Sequence, residues 1–390
     1  MHIENAGHTR AKRRREGRRI LFIVPSLARA GAERQVVDLV NGLSHSNFDI
    51  HLFNFGIDQS LAGRIDETKV SVHKHLKRAR LDFAVVKSIA ETIDRYAIDI
   101  VHCTLQNALL YGVLGVWLAR REEVLLVAAI HTTVNVDMKN ELADRLVYQF
   151  LLRQCNEVWF VCHTQADYWM NRYRFLKSKS HVLYNGIDST FFAPQACRCE
   201  RLETTQTYGI PDGSTVITCI AGFRPEKGHD ILVRAMVPVL ASAPGTYLLL
   251  VGDGPERRKT EQLAQRIGVQ ENVRFAGLVE DVRPILAISR CTVLASTAVE
   301  TFSIAMLESM AMGTPVVSTD IGGAAEAIED RVSGLLVAPG DVQALASALE
   351  AMATSEQMAR RLGDKARQQV QSRFDTRNMV TAALQRLEVI

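Results

Sequence analysis

The chain has 390 residues, of which 47% are apolar and 23% charged, and a formal charge of +3. That length and apolar content allow two or three domains with their own cores and exclude a disordered chain. The charge argues against a nucleic-acid binder, because residues 1–20 hold seven Lys or Arg against two acids while the rest holds 39 bases against 41 acids.

In chain order, the basic run Lys12-Arg13-Arg14-Arg15 and Arg18-Arg19 comes first, and residues 1–18 read as a disordered tail. The apolar residues 20–24 and then Ala28-Arg29-Ala30 imitate an export signal. Cleavage there would remove a first β-strand over 19–24 and orphan the helix that carries Val36, Val37, Val40 and Leu43 on one face, so the strand is expected. Strands are then expected at 50–55, 98–103, 124–130, 157–162 and 181–184. Helices are expected among them at 33–44, 83–96, 108–119, 139–155 and 166–175. Residues 108–119 form the only long continuous apolar run here and fall short of the roughly 20 residues a bilayer span needs, which reads as a buried helix. The cysteines, Cys103, Cys155, Cys162, Cys197, Cys199, Cys219 and Cys291, are odd in number and mostly apolar in setting, so reduced thiols in the cytoplasm are expected. Cys197-Arg198-Cys199 without a second pair is a poor metal site, and no metal is expected.

Asn185-Gly186-Ile187-Asp188 marks a turn, and 194–207 reads as a polar linker. A second alternation follows, with strands at 216–221, 246–251, 273–276, 292–295, 314–318 and 334–337. Its helices are expected at 228–242, 256–267, 282–288, 303–312, 324–328 and 341–353. Residues 355–390 are helical in pattern, with Met379, Ala383 and Leu387 on one face. Repeated strand–helix units imply an α/β chain of two doubly wound, Rossmann-like domains. Parallel sheets bind ligands outside their C-terminal strand edges, so a groove between the two domains is the expected site.

Three loops and one histidine carry the chemistry. Ala30-Gly31-Ala32-Glu33 lies between the first strand and helix, where a small-residue loop lets backbone N–H groups approach phosphate; a plain tight turn is the alternative. The segment from Gly222 through Phe223, Arg224, Pro225, Glu226 and Lys227 to Gly228 is the equivalent loop of the second domain. It adds two cations suited to a diphosphate, with solvated surface charges as the alternative. Glu300 and Glu308 are eight residues apart; in one helix they would be about 12 Å apart along the axis, beyond the roughly 5–9.5 Å of a glycosidase pair. Glu300 is therefore read as a loop residue before a helix and Glu308 as a buried residue within it, contacting different parts of one long ligand. The N–H groups of Phe302, Ser303 and Ile304 then form a second phosphate cradle. His131 ends the apolar run 124–130 at the strand's C-terminal edge, as a site residue or a structural one.

Together these segments resemble the retaining GT-B-fold glycosyltransferases of family 4, over about residues 19–380. Gly31-Ala32-Glu33-Arg34 looks like the family's glycine loop, Asn185-Gly186-Ile187-Asp188 with Phe192 and Pro194 like the end of its first domain, and Arg224-Pro225-Glu226-Lys227-Gly228 like its phosphate loop. Gly252-Asp253-Gly254-Pro255 looks like the turn after the next strand, and Glu300 to Glu308 like the Glu-x7-Glu motif before Gly313-Thr314-Pro315. The resemblance implies a first, acceptor-side domain over 19–190, a nucleotide-sugar-binding domain over 191–370, a cleft between them, and a helix over 371–390 that crosses back to the first. It implies that Arg224 and Lys227 hold the donor diphosphate beside Gly222, that Glu308 binds the ribose, and that Glu300 binds the donor sugar with the backbone of Phe302, Ser303 and Ile304. Phe275, Gly277 and Val279 would flank the base, His131 would lie beside the sugar, and Gly31 near the phosphate. Two departures stand out: Ala30 occupies the place of a first glycine, and Phe223 follows Gly222 where the family commonly has its arginine.

The activity implied is retaining hexosyl transfer from a nucleotide-sugar to an acceptor hydroxyl, with catalytic roles for Glu300, His131, Arg224 and Lys227. UDP-hexose is the preferred donor and GDP-mannose the next. No cofactor is implied, and no Asp-x-Asp cluster offers a metal. The acceptor is expected to be lipid-linked or a saccharide in cell-surface polysaccharide or glycolipid synthesis. Lys74, Lys77, Arg78 and Arg80 with Leu76, Leu81 and Phe83, and Arg172, Arg174, Lys177 and Lys179 with Trp169 and Phe175, suggest an anionic membrane surface at the inner face of the membrane, with ordinary basic loops as the alternative. Charge supports this, since residues 21–190 net +1 and 191–390 net −3. A nucleotide-sugar epimerase, a phosphorylase or a non-catalytic sugar-binding protein on the same fold are the competing readings.

Overall fold

The computed structural model describes residues 17–132, 147–194 and 198–390. The chain divides into two compact units, the first reaching to Tyr184 and including Met379–Ile390, the second being Asn185–Asn378.

In the first unit, seven strands form one parallel sheet: β1 (Arg19–Val24), β2 (Asp49–Asn54), β3 (Val70–Lys74), β4 (Ile100–Thr104), β5 (Leu125–Ile130), β6 (Glu157–Phe160) and β7 (Ser180–Val182), in the spatial order β3-β2-β1-β4-β5-β6-β7. Its helices are α1 (Gly31–Leu43), α2 (Phe83–Arg95), α3 (Gln106–Leu118), α4 (Gln149–Gln154) and α5 (His163–Arg172). Alternation along β1 sends Leu21 and Ile23 to a core shared with α2, α3 and α5, and Ile20, Phe22 and Val24 to the opposite core, where α1 packs. Both faces are covered, as a parallel sheet requires.

The second unit's sheet contains β8 (Thr215–Ile220), β9 (Thr246–Val251), β10 (Val273–Gly277), β11 (Ser289–Leu294), β12 (Val316–Thr319) and β13 (Gly334–Val337), in the order β10-β9-β8-β11-β12-β13. Its helices are α6 (Arg198–Thr207), α7 (His229–Ser242), α8 (Arg257–Arg266), α9 (Arg283–Ile288), α10 (Ile304–Ala311), α11 (Ala324–Ala327), α12 (Val342–Thr354) and α13 (Glu356–Gln369), after which a π-helical turn, Val370–Phe374, leads into α14 (Thr376–Val389). All strand pairs are parallel.

Met379, Ala383 and Leu387 of α14 join the first unit's core beside Ile20, Phe22 and Trp159. Arg386 grips Glu157 through two donors, Nε at 2.9 Å, and Trp159 Nε1 donates to the same carboxylate at 2.9 Å. Arg18 Nη1 donates to the Leu387 carbonyl at 2.8 Å.

Several expectations need correction. Strand β3 is not among the expected strands, because only Val70 of its five residues is buried. The stretch read as linker contains α6, a polar helix whose sequence lacks an apolar stripe. Gly31 opens helix α1 instead of sitting in a loop before it; Ala30 is the N-cap and its carbonyl accepts from the Arg34 N–H at 3.0 Å. In the second basic–apolar cluster Arg174 and Lys177 are exposed, whereas Trp169 is buried and Lys179 Nζ donates to the carbonyls of Leu152 and Cys155 at 2.8 and 2.7 Å. The run Lys12–Arg15, Cys197 and residues 139–146 of an expected helix lie outside the described residues. Cys103, Cys155, Cys162, Cys219 and Cys291 are buried free thiols, and burial pushes Cys219 and Cys291 up to about 12. No helix among the described residues is long and apolar enough to cross a membrane.

Candidate functional site

A doubly wound sheet has a natural crevice where its strand order reverses, because the loops on either side leave toward opposite faces. In the second unit that point lies between β8 and β11, which are neighbours in space and remote in sequence. The loop after β8 carries Gly222, Arg224 and Lys227, and the loop after β11 carries Glu300, Phe302 and Ser303. The topology therefore brings the two motif loops together.

Their side chains meet. Lys227 Nζ lies 2.8 Å from Glu300 Oε2, and the two side chains are only 13% and 15% exposed. Ser296 Oγ donates to the same carboxylate oxygen at 3.1 Å. The backbones are stitched as well, since the Thr297 N–H donates to the Glu226 carbonyl at 2.9 Å. Gly228 ends the first loop with φ +64°, and a Cβ there would overlap the Ala295 carbonyl oxygen. Glycine is required by both conditions. Arg224 points elsewhere: it is 60% exposed and pairs with Glu226 at 3.2 Å. Lys227, not Arg224, is the cation sunk in the crevice.

Phe223, which departs from the family pattern, is buried and stacks on the His229 ring at 4.2 Å. It forms the floor under the loop. Burial, reinforced by the Lys227 charge, pushes His229 down to about 4, so it is neutral and adds no second charge beside the lysine.

Ser303 caps α10, its side chain accepting from the Met306 N–H at 3.3 Å. Ile304 is the first helical residue, so the helix starts within the Glu300 loop and its N-terminal dipole adds positive potential there. Glu308 is buried one turn further on, and Phe302 is buried against Phe374 at 5.3 Å. Two supports were not legible in the sequence. Asn185, noted only as a turn residue, donates through Nδ2 to the Phe302 carbonyl at 2.9 Å. Gly322, after β12, lies against the Glu300 carbonyl at φ +61°, and the Gly323 N–H donates to the Thr301 carbonyl at 2.6 Å.

Of the expected base-flanking residues, Phe275 and Gly277 lie in β10 and Val279 follows it. Gly277 ends β10 and its carbonyl accepts from the Gly252 N–H at 2.8 Å; Phe275 is 6.0 Å from Phe223, and Val279 packs on the smaller core beside β9. Arg257, not singled out in the sequence, stands 5.8 Å over the Phe275 ring and pairs with Glu261 at 3.0 Å.

Gly31 and His131 belong to the first unit. The carbonyls on either side of His131 are held by one side chain, Gln165 Nε2, which donates to Ile130 and Thr132 at 3.0 Å each; Trp169 Nε1 also donates to Thr132. Burial pushes His131 down to about 4, so it is neutral at physiological pH. Among the described residues no cluster of three or more His, Cys, Asp or Glu could hold a metal ion.

The comparisons agree with this architecture. Residues 29–191 match the model of Glycosyltransferase Family 4, and residues 200–369 that of Glycosyl transferases group 1. The N-acetyl-alpha-D-glucosaminyl L-malate synthase of Bacillus anthracis is 26% identical over 81% of each chain. The lipopolysaccharide core biosynthesis glycosyltransferase LpsE of Rhizobium meliloti is 36% identical over 45% of this chain, a match that spans about half (51%) of its own length. The crystal structure of Anabaena HepE in complex with UDP superposes with a TM-score of 0.82, at 23% identity over 95% of this chain and 100% of that one, which shows the GT-B fold of two Rossmann-like domains. On these matches the chain belongs to the family 4-like, group 1 glycosyltransferases.

Proposed function

We propose that this enzyme transfers a hexosyl group from a nucleotide-sugar, with UDP as the nucleotide, to an acceptor hydroxyl with retention of anomeric configuration. The observation that carries the reading is the Lys227–Glu300 pair at 2.8 Å, largely buried at the switch point where a helix N-terminus also opens. Lys227 faces the donor diphosphate and Glu300 the sugar hydroxyls, Glu308 binds the ribose, and Phe275, Gly277 and Val279 flank the base. Gly222 leaves room for the phosphates and Arg224 swings to the outer one. His131 and Gly31 serve from the first domain, the neutral histidine beside the sugar.

In the reaction the bond from the anomeric carbon to the diphosphate oxygen breaks, and the acceptor oxygen bonds to that carbon on the same face. The acceptor proton passes to the departing phosphate oxygen. Negative charge grows on the diphosphate, and Lys227 with the α10 N-terminus stabilises it more in the transition state than in the ground state. These groups do the work without a metal ion.

HepE has also been solved in complex with UDP-glucose, which supports the choice of nucleotide. The acceptor is proposed to be lipid-linked or a saccharide of the cell surface. Relatives named for lipopolysaccharide core biosynthesis and for phosphatidyl-myo-inositol mannosyl transfer support that class. The test is a melting-temperature panel of UDP, GDP and their sugars. A ligand at a hundredfold its Kd stabilises by about 2.7 kcal/mol, which is about 5–10 °C for a domain of this size. Protection by UDP and UDP-hexoses but not by GDP supports the reading; protection by GDP alone overturns the donor choice. NMR of the glycoside formed reads the anomeric configuration directly.

A further inference from the structure

The segment that joins β3 to α2 is short, strongly basic and unusually well tied down. Residues 74–83 hold Lys74, Lys77, Arg78 and Arg80 against the single carboxylate of Asp82. Asp82 clasps the segment from inside. Its Oδ2 accepts from the Arg78 N–H at 2.9 Å and its Oδ1 from the Ala84 N–H at 3.0 Å, which caps α2. The Tyr111 hydroxyl of α3 accepts from the Asp82 N–H at 2.9 Å. The His75 and Lys77 N–H groups donate to the carbonyls of Asn54 and Phe55 at 3.1 and 2.9 Å, so the segment is sewn to the end of β2. Lys77 folds inward over the Tyr111 ring at 5.1 Å.

A segment held this firmly has ample opportunity to bury its apolar side chains, and it does the reverse. Leu76 and Leu81 are each 46% exposed and Phe83 is 70% exposed. Ile57, two residues beyond the Phe55 carbonyl that takes the Lys77 N–H, is 85% exposed. Its loop is also pinned, because Gln59 Nε2 donates to Asn54 Oδ1 and to the Gly56 carbonyl at 2.8 and 2.9 Å. Lys74, Arg78 and Arg80 are exposed on the same segment; among the described residues none of them lies within ion-pair distance of a carboxylate, and of the three only Arg78 acts on the charge of Asp82. Asp58, next to Ile57, is the nearby acid, and its carboxylate is engaged by the Ser60 hydroxyl and N–H. Apolar side chains held outward among exposed cations match a bilayer interface, where the side chains enter the acyl boundary and the cations meet lipid phosphate. A polynucleotide would use the cations and leave the four apolar side chains in water.

We infer that the rim formed by residues 74–83 and Ile57 is a docking surface for an anionic lipid bilayer. The inference is independent of the donor and of the transfer chemistry, since every residue in it belongs to the first unit and none to the second unit's motif loops.

The test is co-sedimentation of the full chain with vesicles of phosphatidylcholine and phosphatidylglycerol (3:1) against phosphatidylcholine alone, at 50 and 500 mM salt. Binding to the anionic vesicles at low salt, with release at high salt, is expected. Arg78→Gln with Arg80→Gln is expected to lower the partition coefficient about thirtyfold, at roughly fivefold per basic residue near an anionic surface. Leu81→Ser with Phe83→Ser should lower it at low salt although no charge is removed, which separates insertion from simple charge attraction. All four side chains are exposed, so melting temperatures should stay within about 2 °C, at the scale of ordinary surface substitutions. Equal binding of the double variants and the unaltered chain overturns the inference, because the basic residues before position 19 would then carry the affinity. No binding at low salt overturns it too.

Discussion

Replacing Lys227 by alanine tests the core of the proposed mechanism. The substitution removes the only described cation that touches Glu300, leaving its carboxylate 15% exposed with Ser296 Oγ at 3.1 Å. Removing one partner of a fully buried pair costs about 3–5 kcal/mol. The residual exposure and the serine donor reduce that to about 2 kcal/mol, in line with a hydrogen bond to a charged group. For a domain of this size the melting temperature should fall by about 4–8 °C. Activity should fall much further, by about 10²–10³ in kcat, the loss expected from removing one preorganised stabiliser of developing charge. The assay is nucleotide release with and without acceptor, at a temperature where the variant is fully folded. Lys227→Ala with Glu300→Gln relieves the stranded charge, so stability should return while activity does not. Transfer by Lys227→Ala within about threefold of the unaltered enzyme would refute the role assigned to the lysine.

Three further outcomes follow from the geometry. Asn185→Ala strands the Phe302 carbonyl, with a destabilisation of about 1–3 kcal/mol; because Asn185 holds the Glu300 loop from behind, kcat should drop about tenfold, and unchanged steady-state kinetics would remove it as a positioning residue. Gly228→Ala meets both a left-handed backbone and the Ala295 carbonyl, so chemical denaturation should show a loss above about 2 kcal/mol, and an equal denaturation midpoint would show that the loop can open freely. His102 is fully buried between Phe22 and Trp159, and burial first, then His131, pushes it down to about 3. Its folded value lies below its unfolded one, so the stability contributed by the neutral ring is present above pH 6.5 and is lost as pH falls toward 3. About 3 kcal/mol should be gone by pH 4, and His102→Phe should flatten the melting-temperature profile between pH 6.5 and 4; an unchanged slope would assign the loss to other groups.

The strand–helix alternation is legible because both sheets are covered on two faces, so their inner strands read as continuous apolar runs such as Leu21–Val24 and Leu248–Val251. Edge strand β3 escapes that signal, since its residues Ser71 to Lys74 face solvent or lie half-buried. The motif loops are legible from their residue types, but the partner of each cation is not. Arg224 and Lys227 sit three apart and look equivalent in the sequence; the 3₁₀ turn over Pro225–Lys227 sends one outward to Glu226 and the other inward to Glu300. Asn185 lies 117 positions from the carbonyl it holds, so its role is invisible until the chain is folded. Trp169 precedes a run of basic residues in the sequence, which gives it the look of a surface residue, while in the fold Tyr148 and Tyr173 close over its ring.

The docking of α14 against Trp159 and Glu157 has a consequence for synthesis. Residues 379–390 emerge from the ribosome only after the whole of Asn185–Asn378 has been made, which takes about 10–40 s at the usual rate of elongation. Through that interval the seam that will receive Met379, Ala383 and Leu387 stays open, and Glu157 has no arginine. The first unit to be translated is thus the last to be completed, and its nascent form presents an apolar groove that a chaperone, or a neighbouring chain on the same message, can occupy before its own helix arrives.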